Sequence, residues 1–363
     1  MNRSTVVRLL VIILVGAGLG TVVYYSPGFF NKEEIPTYVP LKTGGTSVAQ
    51  IILENRWKSA FREKKNVEIA YDSTGSTAGV TKTLDGEYAI GFVHAPLTDK
   101  QKDAAKTKGG DVVHVPVVVC AVVPVYHVKE LEDKPPLNFT ADVLAGLFLG
   151  KIAKWNDPAL KAINPGVALP DLPVVVVHRG DSSGTTALFT EYLADASELW
   201  RKEIGPAASE VKWPVGVGVA RSQGMADTVH LTEGAIGYLD LVNVFNIDLH
   251  LQHGAVQNHD KTGFIRAEAE NMTAAAGAAA GGSGDAALKL TNRSGANAYP
   301  ICGIIWAVCY QSQPAAHYKN VSDFLQWATH DGQKFAGRTA YAPLPAELVT
   351  RGDQAIQSIK SAQ

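Results

Sequence analysis

Three stretches of this sequence combine glycine and side-chain hydroxyls just ahead of a predicted helix: Gly44-Gly45-Thr46-Ser47, Ser73-Thr74-Gly75-Ser76-Thr77-Ala78-Gly79, and Arg179-Gly180-Asp181-Ser182-Ser183-Gly184-Thr185-Thr186. The first turn of a helix presents backbone N–H groups without partners and a partial positive charge. Glycine lets a ligand approach that backbone, and Ser or Thr adds a donor, so each stretch is an anion cradle in outline. Each is also an ordinary N-cap. Three in one chain, the last beginning at Arg179, point to an oxyanion site. The planar guanidinium of Arg179 can give two hydrogen bonds to a tetrahedral anion. Asp181 cannot favour an anion directly; its expected part is to accept from Arg179 and hold it, the plainer alternative being a surface ion pair.

The elements that would position these residues alternate. Residues 48–64 carry apolar side chains at 48, 51, 52, 57, 60 and 61, the spacing of an amphipathic helix. Strands are expected at 67–71 and 88–93, a helix at 78–84, and a second helix at 185–194. The runs 112–125 (VVHVPVVVCAVVPV) and 173–177 (PVVVV) are β-branched and almost continuously apolar, as in strands buried on both faces. Residues 299–310 read as a further buried strand, 321–329 as a late helix, and the low-complexity run 273–284 (TAAAGAAAGGSG) as a surface loop. The alternation predicts an α/β protein with largely parallel sheets. A short internal echo, with Ala89-Ile90-Gly91-Phe92 matched by Ala235-Ile236-Gly237-Tyr238, hints at two similar lobes.

The chain has 363 residues, 46% hydrophobic and 19% charged, which excludes disorder as its main state and suggests two domains. Lys+Arg 33 against Asp+Glu 35 lacks the basic excess of a nucleic-acid binder, yet leaves room for one local anion site. At the amino terminus Arg3 and Arg8 precede 17 uncharged residues, 9–25, so export is expected, with residues 6–25 as an inner-membrane anchor and cleavage as the alternative. Residues 1–30 would be that segment and 31–40 a linker. Cys120, Cys302 and Cys309 are too few for a disulfide framework and lack metal-ligand spacing; a pairing of Cys120 with either of the others is conceivable. His250, His253 and His259 sit in a polar stretch and are expected to face solvent rather than hold metal. The Gly-Asp-Ser-Ser-Gly run is superficially protease-like, but no histidine stands in a matching context, so no catalytic residue, metal or cofactor is expected.

The motif set resembles the phosphate-binding proteins of bacterial ABC phosphate transporters, a type 2 periplasmic-binding-protein family. The similarity runs over 41–358. Beyond the three helix starts it takes in Ala95-Pro-Leu-Thr98, the Phe148 to Pro158 run with Trp155 and Asn156, His178 to Thr186, Val211-Lys-Trp-Pro214, Gly234 to Tyr238, Ala298 to Ile301 and Tyr341 to Pro345. It implies two α/β lobes joined by crossover hinge strands, with residues 41–122 and 299–363 in lobe 1, 123–298 in lobe 2, and the anion between them. It further implies a monomeric binding protein that delivers phosphate or a related oxyanion to permease subunits. The implied ligands are Thr46, Ser47, Ser76, Arg179, Ser183, Gly184 and Thr185, with Asp181 bracing Arg179.

One position departs from the pattern. Ahead of Ala-Pro-Leu the family usually carries an aspartate that accepts from the protonated oxygen of phosphate; here it is His94. A neutral histidine can still accept through one ring nitrogen, whereas a charged one only donates. Two outcomes are open. Either His94 lines the site and discrimination against sulfate weakens, or the ligand becomes a phospho-compound, as in a membrane-anchored sensor; or it points away and phosphate stays the ligand.

Overall fold

The structure, a computed structural model, describes residues 40–362 except 248, 250, 280–287 and 339. The apolar segment, nearly all of the linker and His250 lie outside the described residues. Among the described residues no helix is long and apolar enough to cross a membrane.

The chain opens with strand β1 (Leu41–Gly45) and helix α1 (Ser47–Ile52), which continues through a wider turn at Leu53–Trp57 into α2 (Lys58–Lys65). Strand β2 (Ile69–Ser73), helix α3 (Ser76–Leu84) and strand β3 (Ile90–Val93) follow. The long run then forms β4 (Val112–His127), sixteen residues buried along nearly their whole length. Beyond it come β5 (Val175–Arg179), α4 (Gly184–Ala196), β6 (Val217–Val219), α5 (Arg221–Leu231) and β7 (Ala235–Asp240). Helix α6 (Ala269–Ala279), strand β8 (Cys302–Tyr310) and helix α7 (Ala315–Thr329) complete the elements used below.

These strands stand in the order β2-β1-β3-β8-β4-β7-β5-β6. The outer pairs are parallel, as the strand–helix alternation requires, but β8 runs antiparallel to both β3 and β4, and β4 antiparallel to β7. The sheet is therefore mixed at its centre, a difference that leaves no mark on the sequence because a strand buried on both faces has the same apolar pattern in either direction. Length is what lets β4 serve two neighbours: Val112 to Ala121 pair with β8, and Val122 to His127 with β7. Pro116 cannot donate to the ladder, and it sits where the register against β8 shifts between Ile305 and Trp306.

Aromatic side chains fill the core on both sides of β4. Trp57, Phe61, Phe324 and Trp327 pack together at one end, Trp57 edge to face on Phe324 and Trp327 and Phe61 edge to face on Phe324, with the Trp57 indole donating to the Gly332 carbonyl at 3.1 Å. Phe148, Phe189, Trp213 and Tyr238 pack at the other.

Three local expectations change. Residues 273–279 are helical in α6 rather than looped: alanine is the strongest helix former, and Met272, Ala275, Ala276 and Ala279 are buried along one face. His253 is half-buried in the short strand Gln252–His253 beside β4, and burial pushes its imidazole below the usual value, whereas His259 is exposed and bonded to Asp260. Cys120 and Cys302 lie one register position apart on β4 and β8, yet all three cysteines are free and buried.

Candidate functional site

Each glycine- and hydroxyl-rich stretch does turn a strand end into a helix start. At the end of β1, Thr46 caps α1, its hydroxyl accepting from the Val48 N–H at 3.3 Å while its own N–H is given to the Phe92 carbonyl at 3.0 Å. After β2, Gly75 takes a positive φ of 86° and delivers Ser76 as the first residue of α3. After β5, Ser183 caps α4 by accepting from the Thr186 N–H at 3.4 Å. A fourth start, unmarked in the sequence, follows β6 at Arg221.

These starts meet one another. The hydroxyls of Ser47 and Ser222 are 3.4 Å apart, tying α1 to α5. Those of Thr77 and Ser182 are 3.0 Å apart, tying α3 to the loop before α4. Gly184 packs so tightly that a Cβ there would stand 2.3 Å from His94 Nδ1 and 2.9 Å from Ser76 Oγ. Helix ends from four separate parts of the chain thus converge with their N–H groups and hydroxyls.

Arg179 closes one side of this group. Its Nε and Nη2 each donate to Asp181 at 2.6 Å, a two-point pair that fixes the guanidinium plane. Of the five N–H donors of an arginine, three remain for a ligand. The Arg179 N–H also donates to the Tyr238 hydroxyl at 3.2 Å, and Asp181 accepts from the Arg221 N–H at 3.4 Å. Burial pushes the Tyr238 phenol up to about 12, so it stays neutral. At Asp181 burial raises the carboxyl, and the hydrogen bonds and charge of Arg179 more than reverse it, leaving it below the usual carboxylate range. A depressed carboxylate contributes stability that is present above its unfolded value and lost as pH falls through the folded one. Thermal unfolding of the wild type and D181N should therefore differ at pH 6, begin to converge as unfolded aspartates protonate near about pH 4, and coincide only once pH has fallen through the depressed folded value of Asp181.

His94, at the end of β3, does not point away. Its Nδ1 lies 3.3 Å from Ser76 Oγ and its Nε2 3.2 Å from Asp240 Oδ1. The Thr185 hydroxyl donates to the other oxygen of Asp240 at 2.5 Å, so the side chain of Thr185 is turned to Asp240. All nine residues singled out in the sequence belong to this group or to the caps that shape it. Asp240, Tyr238 and Ser222 were missed. The echo held the signal for the first: carried two residues further, Ala89-Ile-Gly-Phe-Val-His94 aligns with Ala235-Ile-Gly-Tyr-Leu-Asp240, so His94 and Asp240 end equivalent strands. The hydroxyls of Ser182 and Ser183 are engaged with Ser209, Thr77 and the Thr186 N–H, a capping pattern rather than that of a nucleophile held by a base.

The model of the PBP superfamily domain matches residues 31–331. The phosphate-binding protein PstS of Xylella fastidiosa (strain Temecula1) is 34% identical over 299 residues, covering 82% of this chain and 79% of that protein. The PstS of Methanocaldococcus jannaschii is 31% identical over 350 residues, covering 91% and 89%. Among solved structures, a putative phosphate ABC transporter substrate-binding protein with bound phosphate from Clostridium perfringens superposes with a TM-score of 0.59 at 21% identity, covering 84% of this chain and all of that one. The chain therefore belongs to the PBP superfamily, within its family of PstS phosphate-binding proteins.

Proposed function

We propose that this chain captures inorganic phosphate at the convergence of its helix starts and hands it to the permease of an ABC importer. The observation that carries the reading is the pairing of four helix ends with an arginine whose plane is held by Asp181. Backbone N–H groups and hydroxyls stabilise an anion without formal charge, and Arg179 adds the single cation. Thr46, Ser47, Ser76, Ser183 and Gly184 would contribute backbone or hydroxyl donors, and Thr185 its N–H. Residues 41–122 with 299–363 form one lobe and 123–298 the other, with the phosphate between them. The protein works as an exported monomer without cofactor or metal, tethered by residues 6–25. The PstS relatives are named for phosphate binding, and the family's members are binding proteins rather than enzymes.

Titration calorimetry of the purified protein with phosphate should give one saturable site per chain. No binding heat at millimolar phosphate between pH 6 and 8.5 overturns the reading.

A further inference from the structure

We propose that Asp240 decides which ring nitrogen of His94 carries the proton, making His94 a hydrogen-bond acceptor toward the anion. The site then takes an oxyanion that brings its own proton, monohydrogen phosphate in preference to sulfate. This rests on the phosphate-capture reading and names the protonation state captured.

Asp240 ends β7 with its side chain wholly buried. A carboxylate only accepts, and both oxygens have donors: Oδ1 faces His94 Nε2 at 3.2 Å, and Oδ2 takes the Thr185 hydroxyl at 2.5 Å. A neutral imidazole has one N–H, and Asp240 holds it on Nε2. Nδ1 is left with its lone pair, at the starts of α3 and α4 beside Ser76 Oγ and Gly184. An anion oxygen bearing hydrogen donates to that lone pair; a bare oxygen meets it lone pair to lone pair. Ser76 shares Nδ1 and can turn its proton to the anion instead.

Further groups stand around the ring. From β4, the Cys120 sulfur lies within 4.8 Å of a ring nitrogen of His94 and a carboxylate oxygen of Asp240, but burial and then the charge of Asp240 push that thiol well up, so it is uncharged. Tyr341 is likewise pushed well above its usual value by burial, then by Cys120 and Asp240. The first turns of α3 and α4 carry no acid and turn their positive ends toward the anion site. Asp99, Lys102, Glu191 and Lys289 line with His94 a cavity of about 410 Å³. Once the ring is protonated, Nδ1 donates, and a proton-free oxyanion fits.

The test is calorimetric titration of the full chain with phosphate, alone and against sulfate, from pH 5 to 8.5, with ¹⁵N spectra of the histidines assigned through H94N. The expected result is an unprotonated Nδ1 and protonated Nε2 at pH 8, with sulfate unable to compete there. In D240N the single carbonyl accepts from Thr185 and the amide donates to Nε2, which moves the His94 proton to Nδ1. Phosphate should then weaken about 10- to 100-fold, the worth of one hydrogen bond to a charged group. Sulfate should strengthen, and the ¹⁵N pattern should invert. Equal weakening of both anions in D240N, or an Nδ1–H tautomer in the wild type, overturns the proposal. Should D240N not fold, the wild-type tautomer and the absence of sulfate competition at pH 8 decide it. A wild type that binds no phosphate overturns the capture reading instead, while the tautomer still decides the part of Asp240.

Discussion

Replacing Arg179 by alanine should weaken phosphate binding by a factor of 10² to 10³, about 3–4 kcal/mol, as measured by titration calorimetry. Two effects add. The three N–H donors not spent on Asp181 disappear from a side chain that is only 9% exposed, where water replaces them poorly. In addition, Asp181 loses the partner at 2.6 Å that neutralises it and stands as an unpaired negative charge beside an anion site. R179K keeps the charge but not the plane: an ammonium cannot hold the two-point pair with Asp181 and still direct donors at a tetrahedral anion. It should fall between wild type and R179A. D181N keeps the cation and loses only its brace, so its loss should be the smallest of the three. R179A binding within threefold of wild type would show that the helix ends alone hold the ligand and that the Arg179–Asp181 pair is structural.

How far the sequence carries depends on range. The helix starts at 47, 76 and 184 were legible because glycine and hydroxyl residues act on the backbone beside them, and local geometry is written locally. The burial of 112–125 was legible for the same reason, since fourteen residues with hardly a polar side chain admit few environments. Strand direction was not: β4 runs antiparallel to both neighbours, and that depends on which segment arrives beside it, as residues 302–310 do from far along the chain. The alanine-rich run at 273–279 has the low complexity of a loop, yet alanine's helix propensity acts there, and the burial of Ala275, Ala276 and Ala279 that holds the helix is tertiary.

The site divides in the same way. Arg179 and Asp181 are two residues apart, so their pairing could be reasoned from chain geometry. His94 and Asp240 are 146 residues apart, and Thr185 reaches Asp240 across 55. Neither contact is visible to spacing, and an aspartate ending an apolar strand reads as a turn residue. Only the repeat of the strand end in the two halves linked them.

Gly45 and Gly75 separate two reasons for glycine at a ligand-binding helix start. Both have a positive φ, 137° and 86°, which an L side chain rarely adopts. A Cβ on Gly75 would meet nothing within 4 Å, so G75A carries only the conformational cost, about 1–2 kcal/mol. A Cβ on Gly45 would stand 2.1 Å from the Phe92 carbonyl oxygen and 2.9 Å from its nitrogen. That carbonyl accepts from Thr46, and Phe92 is paired with β1 on one side and β8 on the other, so the backbone has nowhere to go. Nor is there much room toward α3, which packs so close that a Cβ added to Gly79 would stand 2.7 Å from the Gly45 Cα. Overpacking thus adds to strain, and G45A should cost about 3–5 kcal/mol. At no more than roughly 2–4 °C per kcal/mol, the value for chains of 150–250 residues, its melting temperature should fall by at most about 6–20 °C, and that of G75A by less than half as much. The same shift moves Thr46 and the start of α1, so whatever G45A protein folds should bind phosphate weakly, while folded G75A should stay within about tenfold of wild type. Equal losses of stability in the two variants would place the whole cost in φ and none in the approach of β1 to β3.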